Sequence, residues 1–448
     1  MIFSARQIQE KCKEQNRPLY MAFIDLKKAF DSVNRDTLWE ILKHFGCTPV
    51  FVDIIKLLHD GMKGTVFTSG ELTDSFPITA GVKQGCVLAP TLFSLFVAFV
   101  VMLVEKRLPE GVPITYRMDG KVFNLRRLQT KSKVSRLSLV ELQYADDAAI
   151  CAHSPDALQN IMDAFVDAYT RLGLALNVSK TEILHQPAPH VESRPWQVTV
   201  MGDPLPAVSS FRYLGSHLSS DATIDNEVTS RLAAASRSFG RLLKRIFMDG
   251  TLRTDTKIKV YEAVVIPTLL YACETWTVYR RHVKTLEKFH QRCLRKILKI
   301  QWQEYRTNSS VLEEAASRCI EVRVLEAQLR WAGHVVRMPN ERLPKQIFFG
   351  ELTVGKRSRG GPRKRFKDCL KRTLSAFEIP AGSWEDCARD RSRWRAQLKR
   401  ELDALRRLVS VLWRLGGLRG NFLLLPLIMT LLFYALDVPG LADQKLAF

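Results

Sequence analysis

Leu137-Ser138-Leu139-Val140-Glu141-Leu142-Gln143-Tyr144-Ala145-Asp146-Asp147-Ala148-Ala149-Ile150-Cys151 is two apolar runs joined at a pair of carboxylates. The runs predict two strands, and Ala145-Asp146-Asp147 predicts the tight turn between them. Adjacent carboxylates repel one another unless a cation holds them. A divalent metal is the usual solution, since Mg²⁺ binds through one or two carboxylates together with substrate phosphates. Taken alone, the pair also fits an ordinary turn, where aspartate is common. Working outward, Leu19-Tyr20-Met21-Ala22-Phe23-Ile24 is a second strand candidate that ends on a carboxylate, Asp25. A central sheet with these strands side by side would bring Asp25 to Asp146 and Asp147. Three converging carboxylates can hold two metal ions, the arrangement that serves in-line phosphoryl displacement.

The chain is 448 residues long, enough for two or three cores. Its 67 Lys and Arg against 46 Asp and Glu leave a net charge of +21. That excess favours a polyanionic partner, nucleic acid ahead of an anionic membrane surface. The nine cysteines (12, 47, 86, 151, 273, 293, 319, 369 and 387) are scattered without a C-x-x-C pair, which predicts reduced thiols and an intracellular setting, cytoplasm or nucleus. Cys319 and His334 are the nearest approach to a zinc site, and they lack its clustering. Met1-Ile2-Phe3-Ser4-Ala5-Arg6 is no secretory signal. The uncharged apolar stretch Asn421 to Leu436 is shorter than the ~20 residues of a spanning helix and is interrupted by Pro426. The expectation is a docking helix or a reading-frame extension ahead of a tail anchor, so a membrane partner is not favoured.

Elsewhere the patterns predict a polar helix within 1–18 stopped by Pro18, and helix from Asp36 to Leu58 interrupted at Gly46. A hairpin about Ser69-Gly70 follows, then an apolar helix from Pro90 to about Leu108. Pro155 to Leu172 reads as a helix closed by Gly173, followed by a strand at Glu182-Ile183-Leu184 and short strands over 196–218. Beyond Ala222 the chain turns helical. Val228, Leu232, Ala235, Phe239, Leu242 and Ile246 form one apolar stripe; Leu286, Phe289, Cys293, Ile297 and Ile300 form another, opposite Lys284, Lys288, Arg292, Arg295 and Lys299. The run Gly355 to Arg365 is a basic linker without core potential.

Five segments in order carry a resemblance. Phe23-Ile24-Asp25-Leu26-Lys27-Lys28-Ala29-Phe30-Asp31 resembles motif A of reverse transcriptases, Gly81-Val82-Lys83-Gln84-Gly85-Cys86-Val87-Leu88-Ala89-Pro90 motif B, and Tyr144-Ala145-Asp146-Asp147 motif C. Gly173-Leu174-Ala175-Leu176-Asn177-Val178-Ser179-Lys180-Thr181 resembles motif D and Phe211-Arg212-Tyr213-Leu214-Gly215 motif E. The wording is most similar to non-LTR (LINE-type) retrotransposon enzymes. Leu329-Arg330-Trp331-Ala332-Gly333-His334 and Gly360-Gly361-Pro362-Arg363 also resemble their C-terminal region, so the resemblance spans about residues 2–400.

The resemblance implies an α+β fold: a right-hand palm of antiparallel sheet packed on helices, with partial fingers, over 1–220. A helical thumb over 221–300, a basic helical region over 301–400 and a tail over 401–448 would follow. It implies RNA-directed DNA polymerase activity on an RNA template and DNA primer, with dNTP substrates and two Mg²⁺ ions (Mn²⁺ as an alternative). Asp25 and Asp146 would bind the metals with Asp147 in support, and Lys180 would protonate departing pyrophosphate. Phe30 would close the pocket against a ribose 2′-hydroxyl, the group that distinguishes RNA from DNA precursors. Gln84 and Gly85 would meet the incoming nucleotide, and Tyr213, Leu214 and Gly215 would grip the primer end. The helices beyond 221 and the basic run at 356–367 would contact phosphates, and that run could also serve as a nuclear localisation signal.

The family's upstream fingers motifs and N-terminal endonuclease domain are not in this sequence, which begins 24 residues before Asp25. The expectation is therefore an N-terminally truncated element product. Catalysis is sensitive to positioning, so an inactive remnant, or a co-opted nucleic-acid-binding protein, stands as the alternative to an active polymerase.

Overall fold

The computed structural model describes residues 1–105, 107–109, 111–130, 132–189, 195–355, 357, 360 and 363–414, with side chains described to 404. It divides into two compact units. One comprises residues 1–118, 126–223 and 346–362; the other comprises 119–125, 224–345 and 363 onward.

The first unit is organised by strand Leu19–Ile24, all six residues of which are buried. It is the middle of a five-stranded sheet, paired antiparallel with Asp147–Ala152 on one edge and Glu182–Gln186 on the other. Glu141–Tyr144 lies outside the former, and the short Ala207–Val208 runs parallel outside the latter. Burial on both faces explains why Leu19 to Ile24 reads as an unbroken apolar run rather than an alternating one. Against one face pack helices Ala89–Glu105 and Pro155–Arg171, through Phe93, Phe96, Val97 and Val100 of the first and Ile161, Phe165 and Tyr169 of the second. The expected stop at Gly173 is present, with φ +80.

The opposite face is closed by helix Ile2–Glu14 and the hairpin Ser210–Tyr213/Ser216–Ser219. The sequence marks this helix as polar, yet nine of its side chains are buried. Its charged groups and Gln9 reach partners elsewhere in the unit, whereas Ser4 Oγ and Gln7 Oε1 are buried with no hydrogen-bond partner among the described residues. The Arg6 guanidinium donates to Ser216 Oγ and to the His217 carbonyl, both at 2.9 Å. Gln9 Nε2 donates to Ser219 O at 3.0 Å. Lys11 Nζ donates to Gly350 O at 2.8 Å and lies 3.1 Å from Glu351 Oε1. Burying charged groups is tolerated only when they are paired this way.

The expected helix 36–58 is two, Arg35–His44 and Pro49–Leu57, divided at Gly46 with φ +84. Ser69-Gly70 makes the expected hairpin turn, with φ +53 and +90, between the two-residue strands Phe67–Thr68 and Glu71–Leu72. Residues 346–362 return to this unit: Gly350–Leu352 pairs with Val112–Tyr116, which pairs with Ser135–Leu139.

The second unit is helical around one core. The predicted stripe Val228, Leu232, Ala235, Phe239, Leu242 and Ile246 faces it from helix Asp225–Leu242 and the π-turn that continues it. Leu286, Phe289, Cys293 and Ile297 face it from helix Arg280–Leu298. Val311, Ile320 and Val324 enter the same core, so residues beyond 300 share it with those before. In the run Leu329 to His334, on helix Ile320–Arg337, the requirement is packing. A Cβ on Gly333 would stand 2.3 Å from the indole nitrogen of Trp394, which donates to Leu329 O.

All nine cysteines are free. Among the described residues no helix is long and apolar enough to cross a membrane; the 421–436 stretch lies outside them. Of the basic run 355–367, residues 356, 358, 359, 361 and 362 also lie outside them. The rest is less free than the sequence suggests. Arg357 lies 3.0 Å from Glu14, Lys364 donates to Val278 O, and Arg365 pairs with Asp368 at 3.0 Å.

Because backbone and indole meet at Gly333 with no space for a methyl group, Gly333→Ala is expected to lower stability by about 1–3 kcal/mol. Denaturant unfolding would show this as a lower midpoint, and an unchanged midpoint would contradict the packing account.

Candidate active site

The central pairing sets the position of the carboxylates. Strand Leu19–Ile24 runs antiparallel to Asp147–Ala152 with Ile24 opposite Ala148. The ladder ends there, with Asp25 the next residue beyond Ile24 and Asp147 the next beyond Ala148, near enough for the Asp25 charge to act on Asp147. Tyr144 pairs with Asp147 in the adjoining hairpin, so Ala145 and Asp146 form its two-residue turn. Asp147, expected in the turn, is instead the first residue of the strand, and the expected first strand is divided, Ser135–Leu139 lying in the small sheet and Glu141–Tyr144 in this one. Ala145 adopts a left-handed φ of +51, and Gln143 Nε2 donates to its carbonyl at 2.5 Å. A non-glycine residue in that region is strained. The strain sits on the residue before the two aspartates and aims the turn.

Asp147 is held above the usual carboxylate range, first by desolvation and then by the charges of Asp146 and Asp25. Asp25 itself is 40% exposed, and Lys180 Nζ, 70% exposed, lies 3.9 Å from its Oδ2. Backbone contacts bring that lysine in. Lys27 N–H donates to Ala175 O and Asn177 N–H to Asp25 O, each at 2.8 Å, and Leu26 bridges Leu176. The turn Val178–Lys180 follows directly. Two segments about 150 residues apart in sequence are thereby stitched edge to edge.

Hard oxygen donors converging with mutual repulsion suit a hard divalent cation. The structure makes the three carboxylates neighbours but does not close them. Among the described residues no three Asp, Glu, His or Cys side chains stand together as a finished ligand set. The repulsion that raises Asp147 also opposes their approach.

The remaining candidates divide. Phe30 is half-buried and stacks on Phe93, with centroids 4.3 Å apart. Its carbonyl accepts from Val82 N–H at 2.8 Å, and Gly81 N–H donates to Val33 O at 2.8 Å, which ties the Gly81 loop to the segment after Asp25. Gly81 is required there. Its φ is +78, and a Cβ would lie 2.6 Å from Asp31 Cα. Gln84 and Gly85 are exposed beyond it, Gly85 with φ +82, before helix Ala89–Glu105. Tyr213 is buried, unlike a side chain that reaches a ligand: its hydroxyl donates to Leu142 O at 3.0 Å. Phe211 stacks on Phe23 at 4.0 Å, so the hairpin is fixed to the sheet by its aromatics. Leu214 and Gly215, with φ +47 and +77, form its turn.

One residue the sequence reading passed over lies on the same hairpin, at the end of its first strand away from the turn, opposite Ile150. Glu141 has a buried Oε2 without a hydrogen-bond partner, and burial, with the Glu105 charge, pushes its carboxyl up to about 7. Its position in an alternating strand gave no signal, because the pattern reports which face a residue is on and not whether that face is dry.

A sheet presenting carboxylates from neighbouring strand ends, with a lysine at their side, is a layout suited to phosphoryl transfer. Residues 2–218 match the family model for reverse transcriptase (RNA-dependent DNA polymerase), and this part of the chain is a reverse transcriptase domain of the non-LTR retrotransposon kind. The chain is similar to the RNA-directed DNA polymerase from mobile element jockey of Drosophila funebris, 27% identical over 62% of this chain and 28% of that protein. A transposon-derived protein of Caenorhabditis elegans is 23% identical over 60% of this chain and 98% of its own length. The Pol polyprotein of the type-2 retrotransposable element R2DM of Drosophila melanogaster is 28% identical over 37% of this chain and 13% of that protein. This chain therefore spans under a third of the jockey and R2DM proteins.

The raised Glu141 carboxyl makes a pH prediction. The folded state holds this proton more tightly than the unfolded chain. The stabilisation is therefore complete below the unperturbed value of 4.5 and is lost as pH rises through about 7. Glu141→Gln should remove that loss. At pH 8 it should be more stable than the parent by up to about 3 kcal/mol, with the difference vanishing near pH 4. Urea titrations of both proteins across this range check the sign; a variant less stable at pH 8 would refute it.

Proposed function

We propose that this chain is an RNA-directed DNA polymerase that extends a DNA primer on an RNA template from dNTPs. The observation that carries the reading is the register that brings Asp25 and Asp147 to the same end of one ladder, with Lys180 beside Asp25, within a reverse transcriptase domain. In this reading the central sheet is the palm, Arg35 to Pro77 supplies part of the fingers, and helices from Asp225 onward act as the thumb.

Asp25, Asp146 and Asp147 would hold two divalent ions, Mg²⁺ with Mn²⁺ as an alternative. Bound there, the ions would activate the primer hydroxyl and stabilise the leaving oxygen. Lys180, on the Asp25 side, would deliver a proton to departing pyrophosphate. Phe30, wedged against Phe93, would stand where a 2′-hydroxyl would clash. Gln84 and Gly85 would lie under the incoming base, where an exposed backbone without side-chain bulk lets a nucleotide approach closely. The Leu214-Gly215 turn would contact the primer end, with Tyr213 as its internal brace rather than as a contact. An intracellular setting, cytoplasm or nucleus, suits nine free thiols.

Primer extension on a primed RNA template with Mg²⁺ or Mn²⁺ tests the reading. Losing an outer-shell partner already costs roughly 10–100-fold, so Asp146→Asn should lower the extension rate by more than that while leaving primer-template affinity unchanged. A folded protein that binds primer-template and never extends it would overturn catalysis and leave the binding-protein reading. Phe30→Val should admit ribonucleotides, with discrimination against them falling about tenfold or more. Single-nucleotide incorporation with matched dNTP and rNTP measures it, and unchanged discrimination would remove Phe30 from the filter.

A further inference from the structure

The loop between helices Arg280–Leu298 and Asn308–Glu314 holds two large rings in solvent. Trp302 is 75% and Tyr305 81% exposed, with centroids 6.4 Å apart and planes at 80°. Rings left in water by a floppy loop would mean little, but this loop is fastened. Gln301 N–H donates to Glu304 Oε1 at 2.6 Å, closing the turn Trp302–Glu304. Arg295, expected on the free cationic face, instead reaches back to brace the loop. Its guanidinium donates to Arg306 O and Asn308 Oδ1, each at 2.9 Å, and to Gln291 Oε1 at 3.0 Å. Tyr305 stands at φ +47, a conformation unfavourable for a non-glycine residue and a recurrent mark of functional loops.

The approach to the rings is cationic. Lys284, Lys288, Arg292, Lys296 and Lys299 are all exposed; the first four, spaced by four, share one side of the helix, and Lys299 follows at its C-terminal end. They run about 22 Å along its axis and end three residues before Trp302. Among the described residues no carboxylate is ion-paired with any of the five. A groove or row of cations that follows a backbone, combined with aromatics on which bases stack, is how proteins hold unpaired strands. A duplex keeps its bases stacked internally and offers exposed rings little.

We infer that Trp302 and Tyr305 form a stacking platform for unpaired nucleotides, with the strand's phosphates following the cationic side of Arg280–Leu298. This rests on the nucleic-acid reading above and adds to it a site that takes bases rather than phosphates alone. RNA and DNA share the chemistry, and the test separates them.

The experiment is fluorescence anisotropy with the full chain and labelled oligonucleotides of equal length: oligouridylate, oligothymidylate and a blunt duplex. Trp302→Ala and Tyr305→Ala should each weaken single-strand binding about fivefold or more, with duplex binding changed less than about twofold. Trp302→Phe should retain most of the affinity. Both side chains are exposed, so circular dichroism melting curves should match the parent. A preference for uridylate over thymidylate, or the reverse, assigns the platform to RNA or DNA. Unchanged single-strand affinity in the double variant would overturn the inference, as would equal losses on single strand and duplex. Self-association of the parent that disappears in Trp302→Ala, with nucleotide binding intact, would overturn it in favour of a protein contact. Failure of primer extension with ring-dependent single-strand binding would sink the polymerase reading and leave the platform standing; no binding to any oligonucleotide would end both.

Discussion

The first unit depends on one strand that has no free surface. Leu19–Ile24 is paired on both edges and covered on both faces. Its register with Asp147–Ala152 cannot slip by one residue without exchanging the side chains of the two faces. Both faces are apolar, but they are differently shaped. Ala22 and Ile24 meet the helices carrying Phe93 and Phe165, while Phe23 stacks on Phe211 beneath the hairpin. That shape difference locks the register, and the register in turn brings Asp25 and Asp147 to the same end of the ladder. The chemistry at the strand ends is thus fixed by packing several residues away from it.

Repulsion at the acidic corner is the counterpart of this constraint. Backbone pairing holds near one another charges that would separate in solution; Asp147 is raised first by desolvation, and the charges of Asp146 and Asp25 add to the rise. The Lys180 turn, laced to Asp25 by backbone hydrogen bonds, supplies the nearest positive charge without neutralising the group, since both side chains remain partly in water.

Much of this was legible in the sequence. Strand Leu19–Ile24, the acidic hairpin, helix Pro155–Arg171 and the two apolar stripes of the second unit follow from periodicity and from turn residues, which report local geometry directly. That Asp25, Asp146 and Asp147 are neighbours was readable because Asp25 follows one strand, Asp147 begins another and Asp146 is in the turn before it. Their closing into one ligand set was not, and the described residues do not show it. What local pattern could not show was pairing over long separations. Helix Ile2–Glu14 reads as a solvent helix because its polar residues find partners more than 200 positions away. Arg295 counts as a surface cation until Arg306 and Asn308 are seen to take it. Tyr213 looks like a contact residue until its hydroxyl is found on Leu142. Polar residues report their partners, and those partners lie outside any window that periodicity can read.

The return of residues 346–362 to the first unit has a consequence for the order in which the chain can fold during synthesis. Gly350–Leu352 completes the small sheet built on Val112–Tyr116, Gly350 and Glu351 satisfy the buried Lys11, and Phe349 O satisfies Arg127. A ribosome that has released residues 1–223 has therefore released an unfinished body, with a bare sheet edge, Lys11 without Gly350 and Glu351, and Arg127 without the Phe349 carbonyl. It must emit more than a hundred further residues, most of the second unit, before the strand that finishes the first one emerges. An expression fragment trimmed to the 2–218 family match would hold the same unfinished state permanently, with a sheet edge open to pairing with other chains.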